Sequence, residues 1–286
     1  MAAHDTHHYV PVFLLKHWQS GADSKLSCFH RTHGRLLHER YSAKNVAKLR
    51  GLYALPARGL PQENVIETGY MTPRVDEPGS AAHRLLLSDG VAGLNDQQKQ
   101  DWARILVSLI IRGPAMVERI QEEGRQVLSK SLAESTDEYL SIRGDDPADS
   151  LLSWVEANAS SVLSHFGTAA LPTIVESERL NGGLLHATWG IRTLRQASVD
   201  LLISDRPVFY CGGMAKNFLV ALPIAPRLLF VAFNHEATGQ ALNRDSDTEV
   251  AKKTNRDTVA GALQYVYATD DRQQAFVEKH LGRAPT

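Results

Sequence analysis

Strand-like segments stand at both ends of this chain and helical periodicity fills its middle, an order that restricts the fold more than any single motif does. Near the start, LSCFHRTHGRLLHERY (26–41) carries two strand-like runs around Thr32-His33-Gly34, and Gly34 supplies the positive φ of a tight turn, so a β-hairpin is predicted. After residue 185, HATWGIRTLRQ, VDLLISDRPVFYC and FLVALPIAPRLLFVAF are rich in β-branched and aromatic residues, with Gly212-Gly213 and Pro223 to Pro226 turning the chain between them. Between these ends, Asn95 is a good N-cap for DWARILVSLIIRGP, a helix stopped at Gly113-Pro114, and a second helix follows from Ala115 to about Leu132. SLLSWVEANASSVLSHF resumes the helical period, and LPTIVESERL adds another turn or two. TEVAKKTNRDTVAGALQYVYAT reads as an amphipathic helix, with a short helix after it from Asp270 to about Leu281.

The connections carry less pattern. YSAKNVAKLRGLYALP reads as a short helical or irregular link ending in an extended piece at Pro56. Pro61, Pro73 and Pro78 predict little regular structure before Ala81, where SAAHRLLLSDG reads as a short helix. The polar stretch near 134–150 predicts an exposed loop within one domain. The expected architecture is therefore a single α+β domain over 1–286, with an antiparallel sheet made by the N-terminal hairpin and the strands of the C-terminal half. A central group of helices and a C-terminal helix pack against it.

Composition narrows the function classes. A 43% hydrophobic content suffices for a real core, and 31 basic against 32 acidic residues leave a formal charge of −1, so no overall field steers the chain toward nucleic acid or anionic lipid. Any basic site is local. Cys28 and Cys211 form neither a metal-type spacing nor a disulfide scaffold, which fits a reducing compartment. With no signal-peptide pattern and no long apolar run, a cytoplasmic protein without a membrane partner is expected.

Three polar residues stand where apolar ones are expected. The stripe Trp102, Ile105, Leu106, Leu109, Ile110 continues onto Arg112, which either snorkels out to the helix dipole or holds a carboxylate or phosphate in its planar fork. In the last helix Ala251, Val259, Leu263 and Val266 form a stripe with Asn255 in it; tying down a neighbouring loop is the commonest use of such an amide. Lys252 and Arg256 beside it either line an anion site or belong to a solvated face. An apolar strand ends at Ser204-Asp205 before Pro207; Asp205 either closes a turn or serves as a metal ligand, a general base or the partner of Arg112.

The pair His7-His8 precedes an extended segment set by Pro11, so the two rings point to opposite faces and do not share a metal. No HExxH, CxxC or paired-carboxylate motif supplies further ligands, and P-loop, dinucleotide, nucleophile-elbow and kinase signatures are absent. A divalent metal is compatible with the sequence but has no motif, so no metal ligands are assigned. His30, His33 and His38 fall on the hairpin and read as surface residues. Cys211, beside two glycines, has no identifiable base.

The ordered set HHYVP, SAKN with LYAL, RGP, SDRP, LPIAP and TNRD resembles the bacterial family catalogued as domain of unknown function 4238, over nearly the whole chain. The resemblance implies that His7, His8, Asn45, Tyr53, Arg112, Ser204, Asp205, Pro207 and Asn255 match family positions. The chain departs from the family pattern at Gly113, at Arg206 and in the order of LPIAP. The family's glutamate before a short helix corresponds to Asp76, Glu77 or Glu67, and the resemblance does not choose among them. It carries no activity.

The resulting expectation is one polar pocket that binds an anionic small molecule, a nucleotide or phosphoester, and hydrolyses it. In it Asp205, His7 or His8 is the general base, Arg112 meets the substrate charge, and Ser204, Asn255 and Asn45 orient the ligand. Two alternatives stand beside it. In one, the polar residues are a structural network in a module that binds a protein partner. In the other, the chain is a nuclease with a locally basic cleft, since nucleic acid is disfavoured only by overall charge.

Overall fold

The computed structural model describes residues 6–55, 64–213 and 217–282. The chain enters through a short strand β1 (Thr6–His8) and a single helical turn α1 (Val12–Leu15), which begins where the Pro11 carbonyl accepts from the Leu14 and Leu15 N–H groups. Strands β2 (Leu26–Thr32) and β3 (Arg35–Tyr41) form the expected hairpin. Its two turn residues, His33 and Gly34, have φ of 49° and 78°, the doubly left-handed turn that matches the twist of paired strands. A 3₁₀ turn (Ala43–Asn45) leads to β4 (Lys48–Arg50), which pairs antiparallel with β1.

Pro73 and Pro78, expected to suppress regular structure, sit inside it, and Pro61 lies outside the described residues. Residues Glu67–Asp76 wind as a π-helix containing Pro73 and run directly into α2 (Glu77–Ser88), with Pro78 in its first turn. Pro78, just past the junction of the two windings, has no N–H to donate to either pattern. Helix α3 (Asp96–Ile111) opens with a reciprocal capping box between Asn95 and Gln98, and α4 (Pro114–Glu134) follows Gly113. The polar stretch expected as a loop contains α5 (Thr136–Ile142). Helices α6 (Leu151–Asn158) and α7 (Ser160–Ala169) divide at Ala159, whose φ of −145° breaks the winding, and α8 (Leu171–Val175) and α9 (Glu178–Leu185) complete the helical middle.

Strands β5 (Thr188–Thr193), β6 (Ile203–Ser204), β7 (Phe209–Cys211), β8 (Leu219–Ala225) and β9 (Leu228–Phe233) follow, then α10 (Glu236–Arg244) and α11 (Asp247–Gly261). The last long helix is shorter than its apolar stripe implies. After Gly261 the segment Tyr265–Ala268 is a strand, β10, and α12 (Gln274–His280) follows. Leu263, expected on the stripe, is 45% exposed, while Val266 is buried in β10. Alternating aromatic and aliphatic residues suit that segment to a ladder.

The fold is α+β, with antiparallel sheets packed against helices. The hairpin does join strands from the C-terminal half, in the order β3-β2-β10-β6, but the other late strands form a second sheet, β5-β9-β8-β7, instead of extending the first. One apolar cluster runs from Tyr9 and Trp18 through Tyr53, Trp102 and Phe230 to Tyr267, so residues from both ends share it. Its lining by α3 and the π-helix sets where polar groups can be held rigidly.

Candidate functional site

Arg112 is the C-cap of α3, with φ −88° and ψ 0°, and is fully buried. The side chain turns inward. Its Nε donates to the Tyr9 carbonyl at 3.0 Å, and Nη1 pairs with Asp76 Oδ1 at 2.8 Å. Its carbonyl accepts from the Tyr53 hydroxyl at 3.1 Å. Nη2 is buried and has no hydrogen-bond partner among the described residues. The partner of Arg112 is thus Asp76 rather than Asp205.

Asp76 ends the π-helix and Glu67 begins it. Nine residues apart, the two would fall on opposite sides of an α-helix at 3.6 residues per turn. The wider i→i+5 winding, roughly 4.4 residues per turn, returns them to one face. Pro73 gives a physical reason for that winding, because in an α-helix its ring would collide with the carbonyl four residues back. Burial, then the charge of Asp76, pushes the Glu67 carboxyl up to about 7, against the opposing pull of Arg112 and a hydrogen bond from Thr72. Asp76 stays partly open, with 22% of its side chain exposed, so solvent reaches the pair.

The histidines divide as an extended segment requires. His7 is fully buried, its Nδ1 accepting from the Tyr53 N–H at 2.9 Å and its Nε2 lying 2.9 Å from Asn64 Oδ1. That pairing assigns the proton to Nε2, and the ring stacks on Tyr53 with centroids 5.1 Å apart. His8 is half-buried, with Nε2 3.2 Å from the Lys44 carbonyl. Burial lowers its pKa most; Lys48 and Arg112 lower it further, while the Lys44 contact and Asp76 oppose them. Asp76 and Arg112 thus act on the pKa of both His8 and Glu67.

The remaining expected site residues lie elsewhere in the fold. Asp205 Oδ1 accepts from Leu263 N–H at 3.0 Å and Oδ2 from Gln264 and Tyr265 N–H at 2.7 and 3.0 Å, so it anchors the turn between α11 and β10. Burial nevertheless raises its pKa against those three bonds. Ser204 Oγ closes a turn on the Arg206 backbone. Asn255 accepts from Leu202 N–H at 2.8 Å and donates to the Asp200 carbonyl at 2.8 Å and Gln273 Oε1 at 2.9 Å, tying down the loop before β6. Asn45 is exposed, and among the described residues its side chain accepts a 3.4 Å contact from Lys48. Lys252 and Arg256 are exposed. The structure places His7, His8 and Arg112 near one another around Tyr53 and Asp76, while the polar atoms of Asp205, Ser204, Asn255 and Asn45 meet backbone or surface groups elsewhere.

Among the described residues no group of three or more histidine, cysteine or acidic side chains is arranged to hold a metal ion. Cys28 is buried, with its thiol pushed up to about 12, whereas Cys211 is exposed. No helix among the described residues is long and apolar enough to cross a membrane. Tyr9 and Asn64, which frame this centre, carry no sequence signal that separates them from other tyrosines and asparagines. Asp76 and Glu67 are two of the three acidic residues the resemblance left open, and only the π winding puts both on one face.

No curated protein and no solved structure matches the chain significantly. The model of one family, described as a protein of unknown function (DUF4238), matches residues 6–272. The chain belongs to the DUF4238 family.

Proposed function

We propose that His8, Glu67, Asp76 and Arg112 form an acid–base site of hydrolytic type that acts on an anionic small molecule of the phosphoester class. The observation that carries this reading is the fully buried Arg112, ion-paired with Asp76 yet keeping Nη2 without a partner among the described residues. A buried guanidinium N–H left unpaired costs free energy unless an oxygen from a ligand or water meets it. The environments of His8 and Glu67 push their pKa values in opposite directions. Near neutral pH this leaves the imidazole neutral and keeps a share of the Glu67 carboxyl protonated, the two states an acid–base mechanism requires.

In the proposed step His8 takes a proton from water as its oxygen attacks phosphorus. Glu67 gives its proton to the leaving alkoxide as the phosphorus–oxygen bond breaks. Arg112 meets charge on the phosphoryl oxygens, and Asp76 holds the guanidinium in place. His7 acts as a positioning residue through Tyr53 and Asn64. The test is the pH dependence of phosphate release from β-glycerophosphate, whose leaving group is an alkoxide, by the wild type, His8→Ala and Glu67→Gln. The expected result is a bell-shaped wild-type profile, with turnover falling about 100-fold or more in each variant. Absence of wild-type turnover, or unchanged rates in both folded variants, would contradict it.

A second reading has its own support. Asp205 and Asn255 direct their hydrogen bonds to backbone groups or to Gln273, the behaviour of a structural network in a protein that acts through its surface. Under that reading Asn255→Ala destabilises strongly and no phosphoester raises the melting temperature.

A further inference from the structure

An open cleft of about 760 Å³ lies between β4, the start of α4, the turn before β7 and the loop leading into β10. Its size falls in the usual range of small-molecule sites, roughly 300–1,000 Å³. Three arginines reach it from separate elements: Arg50 from β4, Arg119 from α4 and Arg206 from the Ser204 turn. Two acidic residues, Glu118 and Asp205, also line it, but both Asp205 oxygens already accept backbone N–H bonds. Arg119 bonds Glu123 through Nε alone, which leaves the rest of its fork for another oxygen. The exposed Arg206 guanidinium donates no hydrogen bond among the described residues.

The same walls carry aromatic and apolar surface. Tyr210 is 50% exposed and Tyr265 half-buried, while Leu49 and Leu263 are 46% and 45% exposed. Arginine forks match phosphate oxygens, and tyrosine faces match a flat aromatic ring.

We infer that this cleft binds a small aromatic phosphate of the nucleotide class, its phosphate among Arg50, Arg119 and Arg206 and its base against Tyr210 and Tyr265. The site shares none of these side chains with the His8 and Glu67 centre, and the inference stands whether or not that centre is hydrolytic.

Calorimetric titration of the full chain with AMP, adenosine, inorganic phosphate and an oligothymidylate tests it. AMP is expected to bind at least about tenfold more tightly than adenosine or phosphate alone. Arg206→Ala, Arg50→Ala and Tyr210→Ala, all at exposed positions with the fold checked by circular dichroism, are each expected to weaken AMP about tenfold. Lys252→Ala, at an exposed position outside the cleft, is expected to leave AMP affinity unchanged. Failure of the wild type to bind AMP, equal affinity for AMP and adenosine, or unchanged affinity in all three variants overturns the inference. An oligothymidylate that binds more tightly than AMP, with a steep salt dependence, assigns the cleft to single-stranded nucleic acid and overturns it as well.

Discussion

At the scale of single residues, the buried polar groups fall into two kinds. Asp205 and Asn255 bond backbone that would otherwise lack partners, whereas Arg112 is held by Asp76 and Tyr9 and keeps a donor in reserve. Arg112→Ala removes one partner of a buried pair and leaves the Tyr9 carbonyl unmet, so it should lower stability by roughly 3–5 kcal/mol in urea denaturation. His83 offers a pH test. It is buried against the Ile224 carbonyl, with its pKa pushed down from 6.5 to about 4 by burial. A folded-state value below the unfolded one means that its contribution is fully present above pH 6.5 and is lost as pH falls through about 4, a change of roughly 3 kcal/mol. His83→Gln, which keeps an N–H donor, should flatten that acid limb in melts measured across pH. The sequence singled out Arg112 because an apolar stripe ran into it. Its partner was beyond reach, since which carboxylate meets a helix end depends on packing between segments and not on spacing along one.

At the scale of elements, local chemistry was legible where it is self-contained. The Asn95 cap, the Gly113-Pro114 stop and the His33-Gly34 turn each act within a few residues, and each stands as the sequence implies. The proline-marked region misled for the same reason: Pro73 and Pro78 forbid one hydrogen-bonding pattern locally, while a π-helix and its junction with an α-helix admit them. The YVYA segment joined the helical stripe in sequence because its period is ambiguous over a few residues, and pairing with β2 decided it. The crossing of α4 and α7 depends on two glycines facing each other. A Cβ at Gly167 would lie 2.2 Å from the Ile120 carbonyl oxygen, and one at Gly124 would lie 2.7 Å from the Gly167 Cα. Gly167→Ala should therefore force the helices apart and lower stability by about 1–3 kcal/mol, read by thermal melting with the helical content followed by circular dichroism.

At the scale of the molecule, two four-stranded sheets and the helical middle share one apolar cluster that includes both Tyr9 and Tyr267. Composition foretold such a core, but the split of late strands between two sheets is a matter of long-range pairing that no local pattern encodes. Because both ends contribute to that cluster, we expect the chain to behave as one unit, with a single calorimetric transition; two resolved transitions would contradict this. The proposed chemistry depends on that assembly. Strand β1, the π-helix and the end of α3 must meet for the charge of Asp76, the burial of Glu67 and the guanidinium of Arg112 to act together. The most direct test is a carbon-13 NMR titration of the Glu67 carboxyl, assigned with Glu67→Gln, with and without methylphosphonate. A midpoint raised from 4.5 to about 7 is expected in the free protein, with a further shift when the phosphonate binds. A midpoint at the ordinary glutamate value, unmoved by phosphonate, would contradict the proposed chemistry.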